Sequence, residues 1–301
     1  MLSIVIPALN SVATISGTLA SIFSNRACGE TFEVLVVDNG SWDATVDIAK
    51  EFPVKVYHCP RRGIGPPRNL GIQKAQGDIV CLTDSDCIVE KDWMVKILHF
   101  FDRHPETDGV GGPVFPYPHS QNKIQRLTGK IFVEDQEYPQ SLKKVQFGSL
   151  SGIIFGSNSA YRRSVLLESG GFVEPGGSNI ELALRLAAND KRLFFDPDIK
   201  VFHIFPSNLM TVLKQQFRWG AQLTHLKRTH HFDFGVKEII ELPYPLLRAS
   251  LSLVLPRNIE KKLLHIIELA SFELGRIYGY RVRGEKLAFN QENFRARYSH
   301  R

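Results

Sequence analysis

The stretch "DIVCLTDSDC", residues 78–87, begins as an apolar run of strand length and ends in two aspartates. Ile79, Val80, Cys81 and Leu82 form the continuous apolar series expected of a strand buried on both faces. Asp84 and Asp86 stand two apart, so on an extended chain their side chains point the same way. Two carboxylates together at a strand end suit one hard divalent cation, which prefers oxygen ligands and is commonly bridged to substrate phosphates. On its own the same spacing also fits a solvated turn or a helix N-cap.

The segments before it repeat one pattern. "LSIVIP" (2–7) and "EVLVVD" (33–38) are Val- and Ile-rich runs of strand length, and "SVATISGTLASIF" (11–23) between them carries Ile15, Leu19 and Ile22 at helical spacing. "VKVYH" (54–58), the helical "GPPRNLGIQKAQ" (65–76) and then "DIVCLTD" continue the alternation. Such a βαβαβ series implies an α/β fold with a mostly parallel sheet flanked by helices and functional loops at the strand C-termini. Beyond it the sequence predicts a helix near 91–103, a strand "GVGGPVFP" (109–116) and a polar loop-and-helix stretch over 117–150. A strand "SGIIFGSNSAYRR" (151–163), a helix from 179, short strands at "LFFD" and "KVFHI", and a helix at 207–229 follow. With no internal repeat or low-complexity linker, one domain over 1–231 and a helical basic extension over 232–301 are expected.

The chain has 301 residues, enough for a sizeable core, and a net charge of +6. From Lys237 onward twelve Lys or Arg face seven Asp or Glu, so the preceding residues are close to neutral. One basic end, rather than an overall cationic surface, argues against a nucleic-acid partner. Four cysteines make no CxxC pair and no zinc spacing, as for reduced thiols in a cytoplasmic protein. The opening "MLSIVIPALN" lacks a basic n-region and reads as a first strand, not a signal peptide. "RRGIGPPR" (61–68) is no dinucleotide fingerprint, because Arg68 occupies the third glycine position.

"LSIVIPALN", "VLVVDNGSWDAT", "RRGIGPPRNLGIQKAQGDIVCLTDSDC", "GSNSAYRR", "GGF" and "QQFRW", in this order and spacing, resemble family 2 glycosyltransferases from residue 2 to about 223. The resemblance implies a GT-A fold, with a nucleotide-binding half over 1–110 and an acceptor half over 111–231. It implies inverting transfer of a sugar from a nucleotide diphosphate sugar, UDP-linked by preference, with a divalent Mn or Mg ion as cofactor. Pro7, Ala8 and Asn10 would pack the nucleotide; Ala8 stands where an aromatic is common, so base stacking there is absent. Asp38 would accept from a uracil imide N–H, although "DNGS" is also turn-rich. Arg68, a forked donor, would hold a diphosphate or base edge, and Asp84 and Ser85 would complete the nucleotide contacts. Asp84, Asp86 and His203 would hold the metal. Arg218 and Trp219 fall in a Q-x-x-R-W pattern on the acceptor side. No pore-forming set of helices accompanies them, so a long polymer product is not inferred.

Where the resemblance places an Asp as general base, "GGSNIELAL" (176–184) has Asn179. A neutral amide cannot take a proton from an acceptor hydroxyl. Ser178 and Glu181 have capping-box spacing, so Glu181 is either a substitute base or a structural residue. An anionic acceptor needing no base, or a non-catalytic nucleotide-sugar or glycan-binding scaffold, are the remaining readings.

In the extension, "IIELPYPLLRASLSLVL" (239–255) is too short and too interrupted to span a membrane. Leu263, Ile267, Ala270, Leu274 and Ile277 share one helical stripe. It suits packing against the domain or a second subunit. With its Lys and Arg flanks it equally suits peripheral contact with the cytoplasmic face of a membrane, where a lipid-linked acceptor would lie.

Overall fold

A computed structural model describes residues 1–25, 31–134, 138–139, 141–144, 156–173, 179–230 and 259–281. These gather into two compact units, one built from Met1–Phe115 with Glu137–Ile204, the other from Pro116–Gln136 with Phe205–Asn290. The boundary expected near residue 231 lies outside the described residues. The helix expected at 207–229 belongs with the extension helix, not with the strands that precede it.

The first unit is α/β. Its strands are β1 (Leu2–Ala8), β2 (Phe32–Asp38), β3 (Lys55–His58), β4 (Ile79–Leu82), β6 (Gly109–Gly111), β8 (Lys143–Lys144), β9 (Ser159–Arg162) and β10 (Leu193–Phe195). They form one eight-stranded sheet in the order β3-β2-β1-β4-β9-β6-β10-β8. Pairings among β1 to β4, and between β6 and β10, are parallel; β9 runs antiparallel between β4 and β6, and β8 antiparallel to β10. Alternation sets the two cores. Ile4, Ile6, Val34 and Val36 pack on one face with α1 (Ile15–Phe23) and α4 (Trp93–Arg103). Val5, Leu35, Val37, Val80 and Leu82 pack on the other with α3 (Gly65–Lys74), α6 (Arg163–Glu168) and α7 (Asn179–Ala188). A short α2 (Thr45–Lys50) precedes β3. Runs buried on both faces are why these strands read as continuous apolar segments.

A three-stranded sheet, β5 (Cys87–Val89), β11 (Val201–His203) and β7 (Val114–Pro116), lies in the order β5-β11-β7. "GVGGPVFP" is therefore two strands in two sheets, not one. A Cβ at Gly112 would overlap the Ile199 carbonyl, so the crossing between sheets passes tightly against the backbone that joins β10 to β11. "LFFD" and "KVFHI" likewise serve different sheets. Of "SGIIFGSNSAYRR" the strand is Ser159–Arg162, and 151–155 lie outside the described residues. Buried Asn158 ties this region together: Trp93 Nε1 donates to its Oδ1 at 2.9 Å, and its Nδ2 donates to the Pro113 and Ile199 carbonyls at 2.9 and 2.7 Å.

The second unit is helical: α5 (Lys123–Glu134), α8 (Leu209–His230) and α9 (Ile259–Arg281). α8 and α9 approach at two glycines, since a Cβ at Gly220 would overlap the Phe272 carbonyl and one at Gly275 the Phe217 carbonyl. α9 buries Leu264, Glu268 and Arg276. Glu268 accepts from Thr128 of α5 at 3.1 Å.

Candidate functional site

The carboxyl ends of β1, β2 and β4 bring most of the expected residues to one edge of the sheet. Asp86 follows β4, and β11 pairs antiparallel with β5 so that His203 stands opposite Cys87. This register carries His203 to the aspartate pair, with Nε2 3.2 Å from Asp86 Oδ2. Burial opposes charge on both groups, but each outweighs it for the other. The Asp86 carboxyl is held below its ordinary value, and the His203 imidazolium above its own. Ligand atoms of Asp86, Cys87 and His203 lie within 4.8 Å of one another. A carboxylate and an imidazole are a fitting pair for a divalent ion such as Mn. The Cys87 thiol is buried, and its pKa is pushed well up by that burial and by the carboxylates of Asp86 and Asp84.

Asp84, expected beside Asp86 on the metal, accepts from Arg68 Nη2 at 2.7 Å. Arg68 sits in the first turns of α3 with its guanidinium 5.3 Å from the centre of the Phe172 ring. Phe172 is held in turn by Asn69, which donates to its carbonyl and accepts from its N–H, each at 2.8 Å. Ser85 is buried and shares a 2.7 Å hydrogen bond with Ser11 Oγ.

Asn10 adopts a left-handed backbone, φ 51°. Its N–H donates to Ser41 Oγ at 2.9 Å, and its Oδ1 accepts from Trp42 N–H at 3.0 Å. Ser11 N–H donates to Thr45 Oγ1 at 2.7 Å and Val12 N–H to Asp43 Oδ2 at 3.3 Å, so the loops after β1 and β2 are laced together. Asp38 accepts from Gly40 and Ser41 N–H groups at 3.1 and 3.0 Å and lies 3.1 Å from His58 Nδ1. Burial raises its pKa, but these hydrogen bonds outweigh it and the carboxyl lies below its ordinary value. The turn role of Asp38 is thus realised, whatever the base does. Ala8 is buried in the core cluster at the end of β1, and Leu9 beyond it is exposed. Asn39 was missed. It donates to the carbonyls of Cys59 and Arg61 at 3.1 and 2.8 Å and so fixes the loop that leads into α3; the only signal was its place in the turn-rich "DNGS".

Asn179 opens α7 with its amide packed onto Gly156, where a Cβ would overlap it. Its Oδ1 is buried and finds no hydrogen-bond partner among the described residues. Ser178, and with it the capping box, lies outside the described residues. Glu181 is buried in a two-pronged ion pair with Arg185, Oε1 to Nε at 2.6 Å and Oε2 to Nη2 at 3.1 Å. Arg185 also donates to the carbonyls of Ser169 and Gly171. Arg218 and Trp219 are exposed on α8, in the second unit.

The model of Glycosyl transferase family 2 matches residues 3–170, more than half of the chain. The chain belongs to this family. It is similar, at 24% identity over 77% of this chain and 75% of the relative, to the dolichyl N-acetyl-alpha-D-glucosaminyl phosphate 3-beta-D-2,3-diacetamido-2,3-dideoxy-beta-D-glucuronosyltransferase of Methanococcus voltae. The glucosyl-dolichyl phosphate glucuronosyltransferase of Haloferax volcanii is 28% identical over 48% of this chain and 46% of its own length. Among solved structures, the mannosyltransferase PcManGT from Pyrobaculum calidifontis, in complex with GDP-Man and Mn2+, superposes with a TM-score of 0.67 at 15% identity, covering 94% of this chain and 88% of that one. Staphylococcus aureus TarS 1-349 in complex with UDP gives 0.55 at 18% identity, covering 93% and 91%. These likenesses establish the GT-A fold, and the family makes the chain a glycosyltransferase.

Proposed function

We propose that this glycosyltransferase moves a sugar, with inversion, from a nucleotide diphosphate donor, UDP-linked by preference, to the oxyanion of a lipid phosphate. The observation that carries the donor half is the Asp86–His203 pair, 3.2 Å apart at the end of β4. Asp84, Asp86 and His203 would hold a divalent ion, whose charge would offset that of the departing diphosphate; Asp84, Ser85, Arg68, Asn10, Pro7 and Asp38 would form the nucleotide side, and Arg218 and Trp219 would serve the acceptor. Calorimetric titration with UDP and Mn2+ tests this. Binding should be lost in Asp86→Ala, and equal binding by both proteins removes the metal assignment.

The acceptor half rests on what stands at the base position. Asn179 carries no charge, and Glu181 is committed to Arg185. An acceptor that is already ionised needs no base. The relatives, named for glycosylated dolichyl phosphates, support a lipid carrier, while the phosphate as nucleophile rests on Asn179 alone. On this reading Asn179→Asp gains no activity, because it sets a second anion against the acceptor; a large gain would point to a hydroxyl acceptor. If donor hydrolysis and transfer are both absent across a broad acceptor screen while UDP still binds, the scaffold reading takes its place.

Contact with the cytoplasmic face of a membrane runs through α9. Among the described residues no helix is long and apolar enough to cross a membrane. Yet Leu263, Ile267, Leu274 and Tyr278 remain 47, 42, 60 and 54% exposed along one face, opposite the buried Glu268 and Arg276. Much of the expected stripe is therefore open to solvent, although the Tyr278 ring lies 5.5 Å from that of Phe217 on α8; the Ile277 side chain lies outside the described residues. Apolar side chains in a row beside basic flanks suit a helix lying in a headgroup layer. Flotation on anionic vesicles, reduced in a Leu274→Glu variant, supports it. Indifference to lipid with a concentration-dependent dimer assigns the stripe to self-association.

A further inference from the structure

Arg68 and Asp84 differ in how they meet solvent: the arginine side chain is 6% exposed and the aspartate 32%. The guanidinium is therefore an internal cation, paired with a carboxylate that is itself partly open to solvent. Its position is fixed from behind. The Phe172 ring lies against it, and Asn69, the next residue on the same helix, grips the Phe172 backbone at both ends. Gly171, at φ 65°, packs on the Asn69 side chain, and its carbonyl accepts from Arg185 at 2.5 Å. The guanidinium is also incompletely used, since its Nε is buried without a hydrogen-bond partner among the described residues. A forked donor that spends one arm on Asp84 and leaves another unspent is set to take a second, richer acceptor, and a diphosphate presents several oxygens.

We infer that Arg68 is the resident counter-ion of the Asp84–Asp86 site. It occupies the charge of Asp84 until a donor arrives, so that a divalent ion is captured weakly alone and firmly only together with a diphosphate that draws the guanidinium onto itself. This rests on the metal and donor reading above. The electrostatics run one way: a fixed positive charge beside Asp84 repels a bare divalent ion, and the diphosphate's negative charge removes that repulsion.

The test is titration calorimetry with Mn2+ alone, then with Mn2+ and UDP, on the full chain and its Arg68→Gln and Arg68→Lys variants. Arg68→Gln should bind Mn2+ alone at least about tenfold more tightly, the size of one charge acting on a divalent ion a few ångströms away even with water-like screening, and bind UDP with Mn2+ more weakly. Arg68→Lys, which keeps the charge, should stay near the wild type for Mn2+ alone. Melting curves establish that the variants are folded. If Arg68→Gln is not, the wild type carries the test through its arginine Nε–H resonances. One of them, absent from Arg68→Lys, should shift with Mg2+ and UDP together and stay in place with the same Mg2+ alone. Metal-only affinity in Arg68→Gln no tighter than in the wild type, or a shift with Mg2+ alone, overturns the counter-ion role. A wild type that takes up no metal even with UDP overturns the metal reading itself.

Discussion

Replacing Glu181 by Gln removes one charge from a buried ion pair and leaves the other in place. In the folded chain Glu181 meets Arg185 through both oxygens, at 2.6 and 3.1 Å, and both side chains are almost wholly shielded. Stripping a buried ion of its partner costs about 3–5 kcal/mol. Arg185 keeps the Ser169 and Gly171 carbonyls, and the new amide still offers one acceptor, so the loss should sit nearer about 2–3 kcal/mol. At about 2–4 °C per kcal/mol, Tm should fall by roughly 5–10 °C. Glu181 pairs within α7 and, through Arg185, with the turn that ends at Phe172, so its loss should loosen the donor side and raise the donor KM. The rate constant of the folded fraction, measured well below Tm, should change by less than about threefold. A general base would behave in the opposite manner, with about 10²–10⁴ lost from kcat. Such a loss at unchanged Tm would refute the structural assignment.

The metal-free protein should lose stability as pH rises through the His203 pKa. That pKa is raised above 6.5, so the Asp86–His203 pair contributes fully below 6.5 and fades above it. Scanning fluorimetry should show the slope in the wild type and not in His203→Gln. Saturating Mn2+ with UDP should reverse the trend, since an imidazole must be neutral to bind metal. Gly275→Ala should destabilise the chain by about 1–3 kcal/mol in chemical denaturation, because α8 and α9 cannot part without exposing their seam. Asn158→Ala should cost about 3 kcal/mol by the same measurement, since it strips the Trp93 N–H and the Ile199 carbonyl of their Asn158 bonds and leaves the Pro113 carbonyl only the Val201 N–H.

The parallel half of the fold was legible because it is written locally: apolar runs of strand length announce buried strands. Asp84 and Asp86 do not follow the extended-chain expectation. They stand on the turn between β4 and β5, where the Cys87 N–H donates to the Asp84 carbonyl at 3.2 Å, and each carboxylate meets a different partner. His203 was reached only through the family resemblance. Its approach depends on the β5–β11 register, which joins segments far apart in the chain and has no local signature. The break in "GVGGPVFP" was hidden for a related reason. Gly112 is needed there because of the Ile199 carbonyl, a neighbour from another segment. The α9 stripe has a helical period, but periodicity tells only that apolar side chains align. It does not tell that the opposite face, with Glu268 and Arg276, is the one that becomes buried. The Arg68–Asp84 pair was also invisible, since each residue had a separate nucleotide role to be read into it.

The lacing of the loops after β1 and β2 has a thermodynamic consequence. Asn10, Ser11 and Val12 are fastened to Ser41, Trp42, Asp43 and Thr45 before any donor arrives, so this rim of the site has already surrendered its conformational entropy. The cost falls on folding and is absent from binding, where each side chain ordered at an interface would otherwise subtract about 0.5–1.5 kcal/mol. A donor meeting a rim already set should associate without waiting for the loops to close, and differences in affinity among nucleotides should be written chiefly in how fast they leave.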